Sequence, residues 1–329
     1  MKRFIAVFVL LVFLSCLFTS CKKEETLRVV QLNEVTRSVF YAPQYVAISQ
    51  GFFEEEGLQI EITTGGGSDK TMTALLAGQA DIGLMGPETG VYVINEGKED
   101  HPIIIGQLTK CDGSFLMGRV AEPEFAWENL KGKTIIGGRR GGMPMMTLQY
   151  VLRQHGLEPG VDLEVLDNIQ FDLMGGAFEG GTGDYVTLFE PIASLFEMNS
   201  KGFIVASVGK ASGDVPYTTY MVSQSKLKND PALIEKFLRA IYRAQKWVAN
   251  ATDEEVAKAM MPFFPDASLE VLTSVARNYR ANDSWKGEPV MFEEDYNRLL
   301  TVIDSAGELK SPVPFEKLVD NTIAAKAMK

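Results

Sequence analysis

The chain is poor in the residues that covalent bracing and most catalysis require. It has three cysteines, Cys16, Cys21 and Cys111, and two histidines, His101 and His155. With two cysteines crowded at the N-terminus, no disulfide framework is available, and stability must come from burial. Neither histidine stands at metal-ligand spacing from a second ligand, and Cys111 is isolated. No HExxH, GxSxG or Walker loop occurs. The expectation is a protein without metal, cofactor or catalysis. Positive charge is also short, with 32 Lys and Arg against 43 Asp and Glu and a net charge of -11, which argues against a nucleic-acid partner. Nothing after Phe18 is long and apolar enough to span a bilayer. What remains, 46% hydrophobic and 23% charged, is the composition of an ordinary folded protein.

Lys2 and Arg3 precede an apolar run from Phe4 to Leu14 that ends in small and polar residues, the pattern of a secretory signal peptide. The run falls short of the roughly 20 residues a permanent span needs. Leu17-Phe18-Thr19-Ser20 before Cys21 resembles a bacterial lipobox, although Phe18 stands where Leu is usual. That resemblance implies residues 1–20 as a cleaved signal, a lipid on Cys21, a charged tether over 21–26 and an extracytoplasmic, membrane-anchored location. Cys16, preceded by Leu14 and Ser15, competes as the lipidated residue. An ordinary secretory signal with an incidental cysteine is the plainer alternative. The processed chain, roughly 300 residues, exceeds the usual size of one core and predicts two lobes.

From Leu27 the pattern alternates short β-rich runs with helical stretches, which predicts α/β architecture with mostly parallel sheets. Strands are expected at 27–32, 58–64, 80–85 and 102–109, then at 114–120, 133–138, 162–167, 185–191, 203–208 and 218–224. Beyond Lys226 the chain reads as helical, most clearly over 231–251, where Leu233, Phe237, Ile241 and Trp247 fall near one face. These late helices are expected to return and cover the first sheet, since parallel sheets are buried on both faces.

Four segments then carry a family resemblance. YAPQYVAISQGFFEEEGLQIEI, ALLAGQADIGLMGPE, LKGKTIIGG and GDYVTLFEP, in that order, resemble periplasmic solute-binding proteins of the nitrate, sulfonate, taurine and thiamine-pyrimidine type. The resemblance implies a two-lobed periplasmic-binding-protein (Venus flytrap) fold of type II that closes on a small solute. Its hinge would be two crossing strands, near Lys110 to Ser114 and Pro216 to Ser223. Lobe one would comprise 27–109 and a mainly helical return over 222–329, with lobe two over 110–221. It further implies a monomer that delivers its ligand to the transmembrane permease of an ABC importer.

Ligand-binding candidates follow from the edges where strands end. Gly65-Gly66-Gly67-Ser68-Asp69 precedes a helix, so backbone N–H groups and the Ser68 hydroxyl are candidates, with helix capping by Ser68 or Asp69 as the alternative. Gly137 to Pro144 forms a second such loop, in which Arg139, Arg140, Gly141, Gly142 and Met143 face the first; plain surface arginines and a packed Met143, Met145 and Met146 are the competing readings. Asn33 and Glu88 follow strands of lobe one. Glu190, at the end of YVTLFEP, is a candidate acceptor for a ligand amino group and would repel a sulfonate or nitrate, though Glu-Pro also serves as a structural strand ending. Tyr41, Tyr185 and Tyr217 are candidates for stacking on a planar ligand, each with a core or hinge alternative. The Glu190 carboxylate is the main reason to favour a nitrogen-rich, thiamine-pyrimidine-like ligand over an alkanesulfonate, taurine or nitrate, whereas the two facing helix starts and the arginines suit an anionic or strongly polar group. A thiamine-pyrimidine synthase-like enzyme shares the fold but needs histidine and cysteine motifs that are missing; a surface-display lipoprotein would have no use for facing helix starts.

Overall fold

The computed structural model describes residues 26–329; residues 1–20, read above as a signal peptide, and with them Cys16, as well as Cys21, lie outside the described residues. Ten strands form two five-stranded sheets. The first sheet contains β1 (Arg28–Glu34), β2 (Leu58–Thr64), β3 (Ile82–Met85) and β4 (Pro102–Thr109), the second contains β5 (Ser114–Gly118), β6 (Thr134–Ile136), β7 (Glu164–Leu166), β8 (Tyr185–Phe189) and β9 (Phe203–Ser207), and β10 (Thr218–Ser223) returns to the first. The spatial orders are β2-β1-β3-β10-β4 and β7-β6-β8-β5-β9. Each sheet therefore has the same plan, with the fourth place taken by the strand that has just crossed from the other.

The sheets are mostly parallel as expected, and the crossing strands are the antiparallel member of each. β1 pairs in parallel with β2 and β3, and β6 with β7 and β8, but β10 runs antiparallel to β3 and β4, and β5 antiparallel to β8 and β9. Each crossing strand enters its sheet from the edge at which the parallel strands end, so it must run against them. At the crossings, Thr109 and Thr218 share a hydroxyl contact of 2.6 Å, and Asp112 Oδ1 accepts the backbone N–H and hydroxyl of Ser114.

Every residue of β3 and β4 is buried. The apolar run Pro102 to Ile105 suits a strand covered on both faces. Part of that cover comes from the C-terminal helices: Gly90 packs against Leu318, Val319 bridges to Ile104, and Gln107 N–H donates to the Pro289 carbonyl. Helix Pro231–Asn250 buries Leu233, Ile234, Phe237, Leu238, Ile241, Ala244 and Val248 along one stripe, each large apolar side chain contributing about 2 kcal/mol. Val248 closes that stripe; Trp247 sits at its margin, partly buried, because a step of six residues from Ile241 stops short of two helical turns, whereas seven bring Val248 back to the face. The acidic run after Phe53 is not a free surface either, since Glu55 pairs with Arg243 and Glu56 with Arg239.

Candidate ligand cleft

The C-terminal ends of β1, β2 and β3 gather a group of buried polar atoms with unmet hydrogen-bonding capacity. Asn33, in the last turn of β1, donates from Nδ2 to Thr63 Oγ1 at 2.9 Å, while its Oδ1 has no partner. Thr71 Oγ1, on helix Ser68–Leu76, also has none. A Cβ on Gly65 would stand 2.4 Å from Thr71 Oγ1 and 2.9 Å from Asn33 Oδ1, so both oxygens converge on the same bare Cα. Unpaired buried polar groups are costly and rare, so a cluster of them calls for an explanation.

Glu88 is the strongest member. It opens helix Glu88–Asn95, is 2% exposed, and its Oε2 has no hydrogen-bond partner. Burial pushes its carboxyl up to about 8, opposed only by its own backbone N–H. The carboxylate folds back over Gly86, where any Cβ would stand 2.1 Å from Oε2. Glycine is therefore required at 86 for the carboxylate to lie there. Ser68 Oγ accepts the Gly86 N–H at 3.3 Å, and neither Ser68 nor Asp69 caps the helix by its side chain.

Tyr41 and Tyr217 complete the group from the start of the first helical segment and from the second crossing. Both are buried, and Glu88 adds to burial in raising both hydroxyls above their ordinary range. Phe40 joins them, edge-on to Tyr217 at 5.8 Å and 6.0 Å from Tyr41 by ring centroids. Phe189 of the second sheet continues the aromatic chain, 5.9 Å from Phe40 and 6.1 Å from Tyr217. The Asp112 carboxylate lies beside the Tyr217 hydroxyl without a hydrogen bond of normal geometry, and burial raises that carboxyl to about 6.

From the second sheet comes the loop between β6 and helix Met143–Gln154. Gly142 occupies the cap position with no side-chain cap, and Pro144 lies in the first turn. Arg139 is exposed, with Nη1 4.0 Å from the place a Cβ would take on Gly67, which brings the two glycine loops opposite each other. Arg140 turns away to Asp167 at 3.2 Å. Gly141 accepts a hydrogen bond from the Tyr92 hydroxyl at 3.2 Å. Met143, Met145 and Met146 are all packed inside.

Two sequence-predicted residues do not join the group. Tyr185 stands at the opposite, N-terminal end of β8, where its hydroxyl donates to Glu122 at 2.7 Å. Glu190 is at the right end of β8, but its carboxylate is already occupied: Oε2 accepts the Ser194 N–H at 2.9 Å, and Oε1 accepts the Ser194 hydroxyl at 2.8 Å and Asn278 Nδ2 at 2.6 Å. It is the structural strand ending, capping the next helix from within. Thr71, Phe40, Phe189 and Tyr92 were missed by sequence reasoning; only Tyr92 left a usable signal, four residues after Glu88 on one helical face. Two open hollows elsewhere, one around Phe52, Tyr242 and Trp247 and one around Met198, Leu269 and Arg277, contain none of the sequence-predicted residues. Among the described residues no group of His, Cys, Asp or Glu is arranged to hold a metal ion, and no helix is long and apolar enough to cross a membrane.

Two α/β units exchanging crossing strands around a cleft define a protein of the periplasmic-binding-protein fold. The chain is similar in structure to a ligand-binding component of an ABC-type import system from Staphylococcus aureus, with TM-score 0.73 and 15% identity over 91% of this chain and 99% of that one. It is also similar to the alkanesulfonate-binding protein SsuA from Xanthomonas axonopodis pv. citri, with TM-score 0.71 and 14% identity over 89% and 98% of the two chains. The same fold carries an enzyme as well, the desulfurization enzyme DszB, at TM-score 0.63 and 14% identity over 92% of this chain and 99% of that one. In sequence, YtlA of Bacillus subtilis (strain 168), provisionally described as a binding protein, is 45% identical over 315 residues, 96% of this chain and 94% of that one. The NMT1/THI5-like pattern matches residues 39–255, and the chain belongs to that family.

Proposed function

We propose that the chain is the extracytoplasmic solute-binding component of an ABC importer, a monomer held to the membrane by lipid on Cys21, that captures a small nitrogen-rich solute between its two α/β units. The observation that carries the ligand class is the unmet Glu88 carboxylate, with the oxygens of Asn33 and Thr71 nearby. The Asn33 oxygen accepts, the Thr71 hydroxyl accepts or donates, and Glu88 accepts through both oxygens once ionised, so a ligand end with N–H groups, such as an aminopyrimidine, suits all three. The aromatic chain from Tyr41 to Phe189 suits a planar ring. Binding replaces the missing partners of groups that are costly to leave unpaired, which concentrates affinity and specificity at this end.

An alkanesulfonate, taurine or nitrate is the second reading, favoured by Arg139 over the Gly67 loop and by two uncapped helix starts. A thermal-shift screen with aminopyrimidine thiamine precursors, riboflavin, taurine, alkanesulfonates and nitrate tests the role. A rise with the aminopyrimidines is expected; a rise with sulfonates alone moves the ligand to the second reading, and no rise with any removes the support for solute capture. Detergent-phase partitioning that is lost in Cys21→Ser, and retained in Cys16→Ser, tests the anchor.

A further inference from the structure

The contacts between the two units are not equivalent. Those of Glu190 with Asn278 and of its N–H with the Tyr279 hydroxyl leave from the end of β8, next to the crossing strand β5. The contact of Gly141 leaves from the loop after β6, one strand further out. Strands stand about 4.8 Å apart, so a rotation about the crossings displaces the Gly141 loop roughly twice as far as the end of β8. The far end of helix Met143–Gln154 is tied separately, by Arg153 Nη1 donating to the Ser305 carbonyl at 2.7 Å.

Tyr92 meets that outer loop. It lies four residues after Glu88 on helix Glu88–Asn95, and the two residues share one face. Glu88 stands at the cleft and Tyr92 one turn further along, its hydroxyl donating to the Gly141 carbonyl at 3.2 Å and lying 3.5 Å from Met146 Sδ. The Tyr92 hydroxyl is raised above its ordinary range by burial first and then by the charges of Glu88 and Glu308. Gly141 has a φ of 76°, a conformation glycine adopts without penalty, so the receiving carbonyl sits in a turn that other residues would strain.

We infer that Tyr92 is the closure residue of the cleft: the helix that presents Glu88 to the ligand also fastens the second unit's glycine loop over it, through the Tyr92 hydroxyl and the Gly141 carbonyl. The inference rests on the solute-capture reading. Ligand seated against Glu88 and the closed Gly141 loop are held by one rigid element, so losing the hydroxyl shortens the lifetime of the closed complex without altering the route of entry. One neutral hydrogen bond predicts an increase in ligand dissociation rate of about fivefold.

Stopped-flow kinetics with the ligand found by the screen compares wild type with Tyr92→Phe, which keeps the ring and its packing. The expected result is dissociation faster by about fivefold, an association rate within about twofold of wild type, and a melting temperature of the ligand-free chain lowered by no more than the loss of one neutral hydrogen bond allows. A dissociation rate equal to wild type overturns the inference, as does a loss confined to stability. Should wild type capture none of the solutes, the solute-capture reading fails on its own, and hydrogen exchange decides the latch. Faster exchange in Tyr92→Phe over both 138–143 and 65–71 supports it, and unchanged exchange at either loop overturns it. Met146→Leu, which removes the sulfur and keeps the volume, is expected to leave both rates unchanged.

Discussion

Glu88 and Glu190 make a controlled comparison inside one molecule. Each follows the end of a strand at the cleft, each is 2% exposed, and burial raises both carboxyls. They differ in partners. Glu190 accepts three hydrogen bonds from Ser194 and Asn278, whereas Glu88 Oε2 accepts none. A buried carboxylate that is satisfied is accounted for by the scaffold; one that is left short calls for a further partner, and the proposed ligand supplies it. Position at a strand end, the criterion available from sequence, does not separate the two.

The comparison is broken most forcefully at Glu88. Above the pH of about 8 at which Glu88 ionises, Glu88→Gln is expected to lower ligand affinity by about 1.5–3 kcal/mol, roughly tenfold to more than a hundredfold, as a hydrogen bond to a charged acceptor is lost. Without ligand the same change should help. Folded Glu88 holds its proton up to about 8 against an ordinary 4.5, so its contribution to stability falls as pH rises from 4.5 to 8 and then levels off. Melting temperatures of the ligand-free chains should therefore diverge in favour of the Gln variant across that window; parallel curves would contradict the burial of an uncompensated carboxylate.

Glu190→Gln should do the reverse. Its new amide N–H group would face donors from Ser194 and Asn278, costing about 1–3 kcal/mol of stability in denaturant titration, with ligand affinity unchanged once the folded fraction is matched. Thr71→Val sharpens the same contrast on a neutral group. Removing a buried hydroxyl that has no partner should leave the ligand-free chain as stable or more so, while weakening binding by about fivefold. The smallest effect is expected at Tyr185→Phe, which loses one bond to Glu122, about 0.5–1 kcal/mol of stability and no affinity.

The fold was readable because its signals are local and repeated. All ten expected strand segments contain a strand, and the crossings fall between β4 and β5 and before β10, since hydrophobic runs and short reversing connections are written along the chain. The site was readable only in part. Asn33, Ser68, Tyr41, Glu88 and Tyr217 come together because strand ends and helix starts converge on one edge of an α/β sheet. What sequence does not encode locally is which polar group is already paired. Ser194 and Asn278 satisfy Glu190 from four and eighty-eight residues away, and Tyr185 pairs with Glu122 sixty-three residues back. Thr71 was invisible for the complementary reason: an unremarkable threonine matters only once its neighbours fail to bond it.

The most direct test of the account is calorimetric titration of an aminopyrimidine thiamine precursor into wild type and Glu88→Gln side by side, in buffer above the pH of about 8 at which Glu88 ionises. Saturable binding to wild type that weakens by tenfold or more in the variant is the predicted result. Equal affinity for both chains, or a sulfonate that binds both equally while the aminopyrimidine binds neither, would contradict Glu88 as the group that selects the ligand.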